Sequence, residues 1–79
     1  VDFFATWCGP CKMLSPVIDQ VSEEVSGVTF VKVDVDEEEL LAEKFGVVSI
    51  PTVVVLENGT EVNRMVGFAP KDKVLDLIK

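Results

Sequence analysis

The cysteines Cys8 and Cys11 lie between a predicted strand and a predicted helix, and their spacing is the strongest constraint in the chain. An apolar run over 1–5 precedes them, and an amphipathic pattern typical of a helix starts at Pro10. The unpaired N–H groups and the dipole at the start of a helix favour a thiolate on Cys8. Because only the thiolate is nucleophilic, Cys8 is the predicted attacking group, and Cys11 lies close enough to close a disulfide with it.

Three other roles compete with redox chemistry for this cysteine pair. A structural disulfide would close so small a ring that the loop-entropy gain is only about 2 kcal/mol. A structural zinc site needs about four Cys or His ligands, whereas the chain has 2 Cys and 0 His. The third alternative is a pair of unreactive core cysteines. A Cys-x-x-Cys motif beside a strand–helix pattern favours the redox role over all three.

Composition bounds the class of protein. With 79 residues, 48% of them hydrophobic, the chain is predicted to form one globular domain over 1–79. A net charge of −7 leaves no basic patch for nucleic acid, and the apolar runs are too short to span a bilayer. We expect a monomer without nucleic-acid or membrane partners. A lone cysteine pair suits a reducing compartment, so we expect a cytoplasmic protein.

The hydrophobic periodicity predicts alternating strands and helices along the chain. In chain order they are strand 1–5, helix 10–26, strand 28–35, helix 37–45, strand 53–56, strand 61–66 and a last helix from Pro70 to Lys79. A helical crossover joins the first two strands, so they should lie parallel. Asp36 is the predicted N-cap of the second helix, and Asn58-Gly59 predicts a type I′ hairpin turn.

Two charged residues in predicted strands each have two open interpretations. Asp2 is either a carboxylate at the rim of the sheet or a buried carboxylate that takes a proton from Cys11. Lys32 is either a solvated edge charge or a side chain that reaches inward towards Asp2. For the Ile50–Pro51 bond, spacing alone favours trans, since only about 5–6% of X–Pro bonds in folded proteins are cis.

The sequence Trp7-Cys8-Gly9-Pro10-Cys11-Lys12 resembles the active site of the thioredoxin family letter for letter. Further motifs extend the resemblance over the whole chain: Asp2-Phe3-Phe4-Ala5, Pro16, Lys32-Val33-Asp34-Val35-Asp36, Ile50-Pro51-Thr52 and Val66-Gly67. The resemblance implies an α/β, thioredoxin-like fold with a central mixed β-sheet flanked by helices. The family's N-terminal strand and helix have no counterpart, so the chain looks like a fragment clipped at both ends. The strand over 28–35 is then expected at an open edge.

The resemblance also implies a role for individual residues. Cys8 would be the nucleophile and Cys11 the resolving thiol of a protein-disulfide reductase that contributes to cell redox homeostasis. Asp2 would be the buried carboxylate that assists Cys11, with Lys32 as its neighbour. Pro51 would be cis and face the dithiol. The residues expected to line a groove for an extended substrate peptide are Trp7, Gly9, Pro10, Ile50, Pro51 and Gly67.

The resemblance implies the source of electrons, and the residues between the cysteines indicate their direction. Electrons would enter as a dithiol, so no bound cofactor is expected, and a flavin- and NADPH-dependent thioredoxin reductase is the implied recharging partner. Because Pro10 supplies neither charge nor hydrogen-bond donor to stabilise the Cys8 thiolate, we expect a reducing potential. An oxidising potential would instead indicate a disulfide isomerase or oxidase. A further alternative is a binding module that uses the same groove while its cysteines stay idle.

Overall fold

The computed structural model describes residues 1–78, which form a four-stranded mixed β-sheet with helices packed on it. Lys79, the predicted end of the last helix, lies outside the described residues. The elements in chain order are β1 (Asp2–Phe4), α1 (Gly9–Glu24), β2 (Lys32–Asp34), α2 (Glu39–Lys44), β3 (Thr52–Glu57), β4 (Thr60–Val66) and α3 (Lys71–Ile78). This is the fold class that the sequence predicted.

The strand order is β2-β1-β3-β4, so β1 lies at the centre of the sheet, as its apolar sequence predicted. β2 runs parallel to β1, with Asp2 opposite Lys32. β3 runs antiparallel to both β1 and β4. The two cysteines follow β1, so one of the two central strands leads into them.

β2 is shorter than predicted and occupies an edge of the sheet. The alternating pattern predicted a strand over 28–35, but only residues 32–34 are in strand conformation. Val31, two residues before Val33 in the predicted strand, is 48% exposed whereas Val33 is 7% exposed. A ladder needs a partner strand, and β1 offers only three paired positions, so the alternation alone does not extend the strand.

Each face of the sheet buries its own apolar cluster, because successive side chains of a strand point to opposite faces. On one face, Val53 packs with α1 and α3 residues that include Leu14 and Val74. On the other, Phe3 packs with Ala42 of α2, and its ring centroid lies 5.5 Å from that of Phe45. The residue before Phe3, Asp2, therefore lies on the face that α1 covers.

The turns that connect the elements agree with the sequence at the hairpin and differ at α2. Asn58 and Gly59 have φ values of 54° and 81°, the two positive values of a type I′ turn, which confirms that prediction. The predicted N-cap Asp36 is wrong, because α2 begins at Glu39 with Glu38 as its N-cap residue. The N–H of Glu38 instead closes a turn on the carbonyl of Asp34, at 2.9 Å.

Candidate active site

Cys8 is the N-cap residue of α1, and Cys11 lies in the first turn of that helix. The backbone of Cys8 is extended (φ −88°, ψ 113°) and ends the loop after β1. Pro10 lies in the first helical turn, where a missing N–H breaks no helical bond. The backbone N–H of Cys11 donates to Sγ of Cys8 at 3.2 Å. The two cysteines form a disulfide with their Cα atoms 5.2 Å apart, so the structure shows the oxidised site.

An apolar environment surrounds the disulfide. Each cysteine is 5% exposed, and both pack with Ala5 while Phe4 and Ile50 contact the same cluster. Sγ of Cys8 lies 3.9 Å from the carbonyl oxygen of Ile50. The following Ile50–Pro51 peptide bond is cis. The loop before β3 thus places its backbone next to the reactive sulfur.

Two of the residues predicted to form a groove, Trp7 and Gly67, make hydrogen bonds to other segments of the chain. Trp7 is 68% exposed, and its indole N–H donates to Oδ2 of Asp36 at 2.8 Å. Gly9 and Pro10 are exposed at the start of α1. The N–H of Gly67 donates to the carbonyl of Pro51 at 2.7 Å, which joins the end of β4 to the cis-proline loop.

Asp2 is buried on the α1 side of the sheet, with 6% of its surface exposed. Within residues 1–78, its Oδ1 atom is a buried side-chain oxygen without a hydrogen-bond partner. Burial raises the pKa of Asp2, and the nearby positive charges of Lys32 and the Val1 amino group only partly oppose this. A buried carboxyl with a raised pKa holds a proton to higher pH than an exposed one, which makes it a better proton acceptor.

The ammonium group of Lys32 bonds to α1 rather than to the carboxyl opposite it. Its Nζ donates to Oγ of Ser15 at 2.9 Å and lies 3.0 Å from Oδ1 of Asp19. Ser15, Asp19 and Asp36 are contacts of the site residues that sequence reasoning missed. The i, i+4 spacing of Ser15 and Asp19 places them on one helix face, but no pattern in the sequence showed that Lys32 faces them.

A cavity of about 860 Å³ is lined by Asp2 and Lys32 but by neither cysteine. Across residues 1–78, no cluster of three or more His, Cys, Asp or Glu side chains is arranged to hold a metal ion. Among the described helices, none combines the length and the apolar character needed to cross a membrane.

A disulfide at a helix N-terminus, next to a cis-proline loop on a mixed sheet, defines a thiol–disulfide oxidoreductase. Comparison with known proteins identifies the family within this class. The family model described as thioredoxin matches residues 1–79. The chain is 50% identical over 78 residues to the thioredoxin of Chlamydia caviae and 47% identical over 78 residues to that of Bacillus subtilis. It covers 76% and 75% of those two proteins, and the alignments include 99% and 98% of the chain.

Solved structures agree with these relatives. A mutant thioredoxin from Halobacterium salinarum superposes with a TM-score of 0.92 at 43% identity, over 98% of this chain and 67% of that one. A thioredoxin from Fasciola hepatica superposes with a TM-score of 0.90 at 43% identity, over 98% of this chain and 73% of that one. The chain belongs to the thioredoxin family, and its activity is dithiol–disulfide exchange of the thioredoxin type.

Replacing Asp2 with asparagine should make the protein more stable at neutral pH. Burial raises the pKa of Asp2 above its ordinary value of 3.8. At a pH between the ordinary pKa of the unfolded state and the raised pKa of the folded state, the folded state binds more protons than the unfolded state. The free energy of unfolding therefore falls as pH rises. Each unit of difference corresponds to about 1.4 kcal/mol of stability lost at higher pH. Urea unfolding from about pH 4 to pH 8 should show this decline in the wild type and a weaker decline in Asp2→Asn.

The exposed Asp76 offers a matched control for that measurement. Asp76→Asn removes the same charge without removing a buried carboxyl, so its stability should follow the wild-type pH dependence. An Asp2→Asn protein with the wild-type pH dependence would show that Asp2 is not a buried titrating group.

Proposed function

We propose that this chain reduces protein disulfides, with Cys8 as the nucleophile and Cys11 as the resolving thiol. The observation that carries the proposal is the position of Cys8 at the N-cap of α1, where its sulfur accepts the N–H of Cys11 at 3.2 Å. In the reduced protein, this N–H and the dipole of a 16-residue helix favour a thiolate on Cys8. Cys11, one turn further, lacks that position.

The proposed reaction has two exchange steps. The Cys8 thiolate attacks one sulfur of the substrate disulfide, forms a mixed disulfide and releases the other substrate sulfur as a thiolate. The Cys11 thiolate then attacks Sγ of Cys8 and releases the second substrate sulfur, which takes up a proton. Two electrons pass to the substrate, and the protein is left with the Cys8–Cys11 disulfide that the structure contains.

We propose that Asp2 accepts the thiol proton of Cys11 in the second step. Asp2 lies on the sheet face covered by α1, the helix that carries Cys11, and its Oδ1 atom has no partner within residues 1–78. A raised pKa makes the carboxylate a stronger base, which favours its taking the thiol proton. Lys32 is also assigned to the catalytic site, because it is the charged residue opposite Asp2 on the neighbouring strand.

The substrate groove in this proposal uses backbone groups more than side chains. The carbonyl of Ile50 lies near Cys8, and an extended peptide could pair with the backbone of residues 50–51 as an added strand. The residues assigned to the groove are Trp7, Gly9, Pro10, Ile50, Pro51 and Gly67. Backbone pairing needs little sequence specificity, which suits a reductase that acts on many proteins.

The proposal extends to partners and compartment. Family membership supports disulfide-containing proteins as substrates and thioredoxin reductase as the source of electrons. We also propose that residues 1–79 act as one domain and as a monomer. A cytoplasmic location is proposed because a reducing compartment keeps such a cysteine pair in the dithiol form between turnovers.

Alkylation of the reduced protein tests the carrying observation. Cys8 should react with iodoacetamide at neutral pH faster than Cys11 by at least about tenfold, because a thiolate is the reactive form. Peptide mapping by mass spectrometry after short exposures measures the two rates in one sample. Unfolding the protein in urea is the control and should bring the rates together. Equal rates in the folded protein would contradict the assignment of Cys8 as the nucleophile.

A further inference from the structure

Lys32 lies between two carboxyl groups on different elements. Its strand position is opposite Asp2, on the same face of the sheet, because register partners of parallel strands share a face. Its ammonium group, however, contacts Ser15 and Asp19 on α1, at 2.9 Å and 3.0 Å. The α1 residues therefore determine where the ammonium group of Lys32 is held.

The location of that charge matters because Asp2 is poorly solvated. Asp2 is 6% exposed, and its Oδ1 atom lacks a partner within residues 1–78. An ammonium group moving towards this carboxyl would stabilise its ionised form. With its hydrogen bonds directed to Ser15 and Asp19, the Lys32 ammonium supplies less of that stabilisation.

We propose that Ser15 and Asp19 are positioning residues for the proton transfer between Cys11 and Asp2, since they hold the ammonium group of Lys32 against α1. The inference rests on the proposed role of Asp2. Ser15 acts only through Lys32, because it carries no charge. Asp19 acts through Lys32 and also directly, by repelling the ionised form of Asp2.

The charged groups near Asp2 lie on different segments, so substitutions can separate the effect of Lys32 on its pKa from the effects of the others. From β2 the charged group is Lys32, from α1 it is Asp19, and the Val1 amino group adjoins Asp2 on its own strand. From β3 the register partner is the apolar Val53. Among these charges, Lys32 and the Val1 amino group lower the pKa of Asp2, whereas Asp19 raises it.

The test measures the titration midpoint of the Asp2 carboxyl by carbon NMR in the oxidised protein, where the cysteines do not titrate. We expect Ser15→Ala and Asp19→Asn to move the midpoint to lower pH by several tenths of a unit, because each frees Lys32 to approach Asp2. Lys32→Met should move it to higher pH. In the Lys32→Met background, Ser15→Ala should have no effect and Asp19→Asn only its direct part. Glu23→Gln is the control, since Glu23 is an exposed acid on the same helix.

The outcomes separate this inference from the proposed function. Equal midpoints for wild type, Ser15→Ala and Asp19→Asn would overturn the positioning role. A Ser15→Ala shift that persists without Lys32 would also overturn it. The pH profile of single-turnover insulin reduction gives the second measurement, and it should move with the NMR midpoint. If Asp2→Asn leaves that profile unchanged, the proposed role of Asp2 fails, whatever the midpoints of the α1 variants.

Discussion

Replacing Cys8 with serine should abolish insulin reduction when dithiothreitol supplies the electrons. A hydroxyl group at this position is not ionised at neutral pH and cannot form the mixed disulfide, so turnover should fall to the rate of dithiothreitol alone. Cys11→Ser should behave differently, because its Cys8 can still attack. If it is reduced beforehand and freed of dithiothreitol, which would itself cleave the mixed disulfide, that variant should bind about one substrate covalently per protein and then stop. Turbidity of precipitating insulin measures turnover, and non-reducing electrophoresis measures the covalent complex.

Each variant is the control for the other, since both replace a cysteine that is 5% exposed with serine at the start of the same helix. Circular dichroism should show both to be folded. A covalent complex formed by Cys8→Ser and not by Cys11→Ser would reverse the roles of the two cysteines. Full turnover by Cys8→Ser would refute the disulfide-exchange mechanism. Tight partner binding that is unaffected when both cysteines are replaced would favour a binding module with idle cysteines.

Replacing Leu14 with alanine should cost about 2–5 kcal/mol of unfolding free energy. Leu14 is 0% exposed and packs in the cluster between α1, α3 and the sheet, so its removal leaves a cavity in the main core. The total stability of a small domain is about 5–15 kcal/mol. The variant should therefore unfold at a much lower urea concentration, as followed by circular dichroism, and its helix should hold Cys8 less firmly.

Leu40 provides the matched comparison, because it is also a helical leucine but is 82% exposed. Leu40→Ala should change the unfolding free energy by no more than about 0.5 kcal/mol. Similar losses in the two variants would show that the cluster containing Leu14 is not the main source of stability.

Features that depend on neighbouring residues in the chain were predictable from the sequence. The helix start after Cys8 follows from Pro10 and the amphipathic pattern, and the hairpin follows from Asn58-Gly59. The parallel pairing of β1 and β2 was also predictable, because a crossover helix joins them. In each case the physical cause lies within one element or one connection.

Features that depend on contacts between distant segments were not predictable in the same way. The length of β2 is limited by how far β1 runs beside it, which alternation does not show. Asp36 has the side chain of a good N-cap, yet it accepts a hydrogen bond from Trp7, 29 positions away. The contacts of Lys32 with Ser15 and Asp19 likewise join a strand to a helix, so periodicity placed each residue on its element but not opposite its partner.

The hydrogen bond between the Trp7 indole and Asp36 has a practical consequence for spectroscopy. Trp7 is the only tryptophan in the chain, and it directly precedes the reactive cysteine. All tryptophan emission from this protein therefore originates beside the redox pair, from a ring that is anchored at its nitrogen and open to solvent. Fluorescence can follow the chemistry at that one location without an attached label.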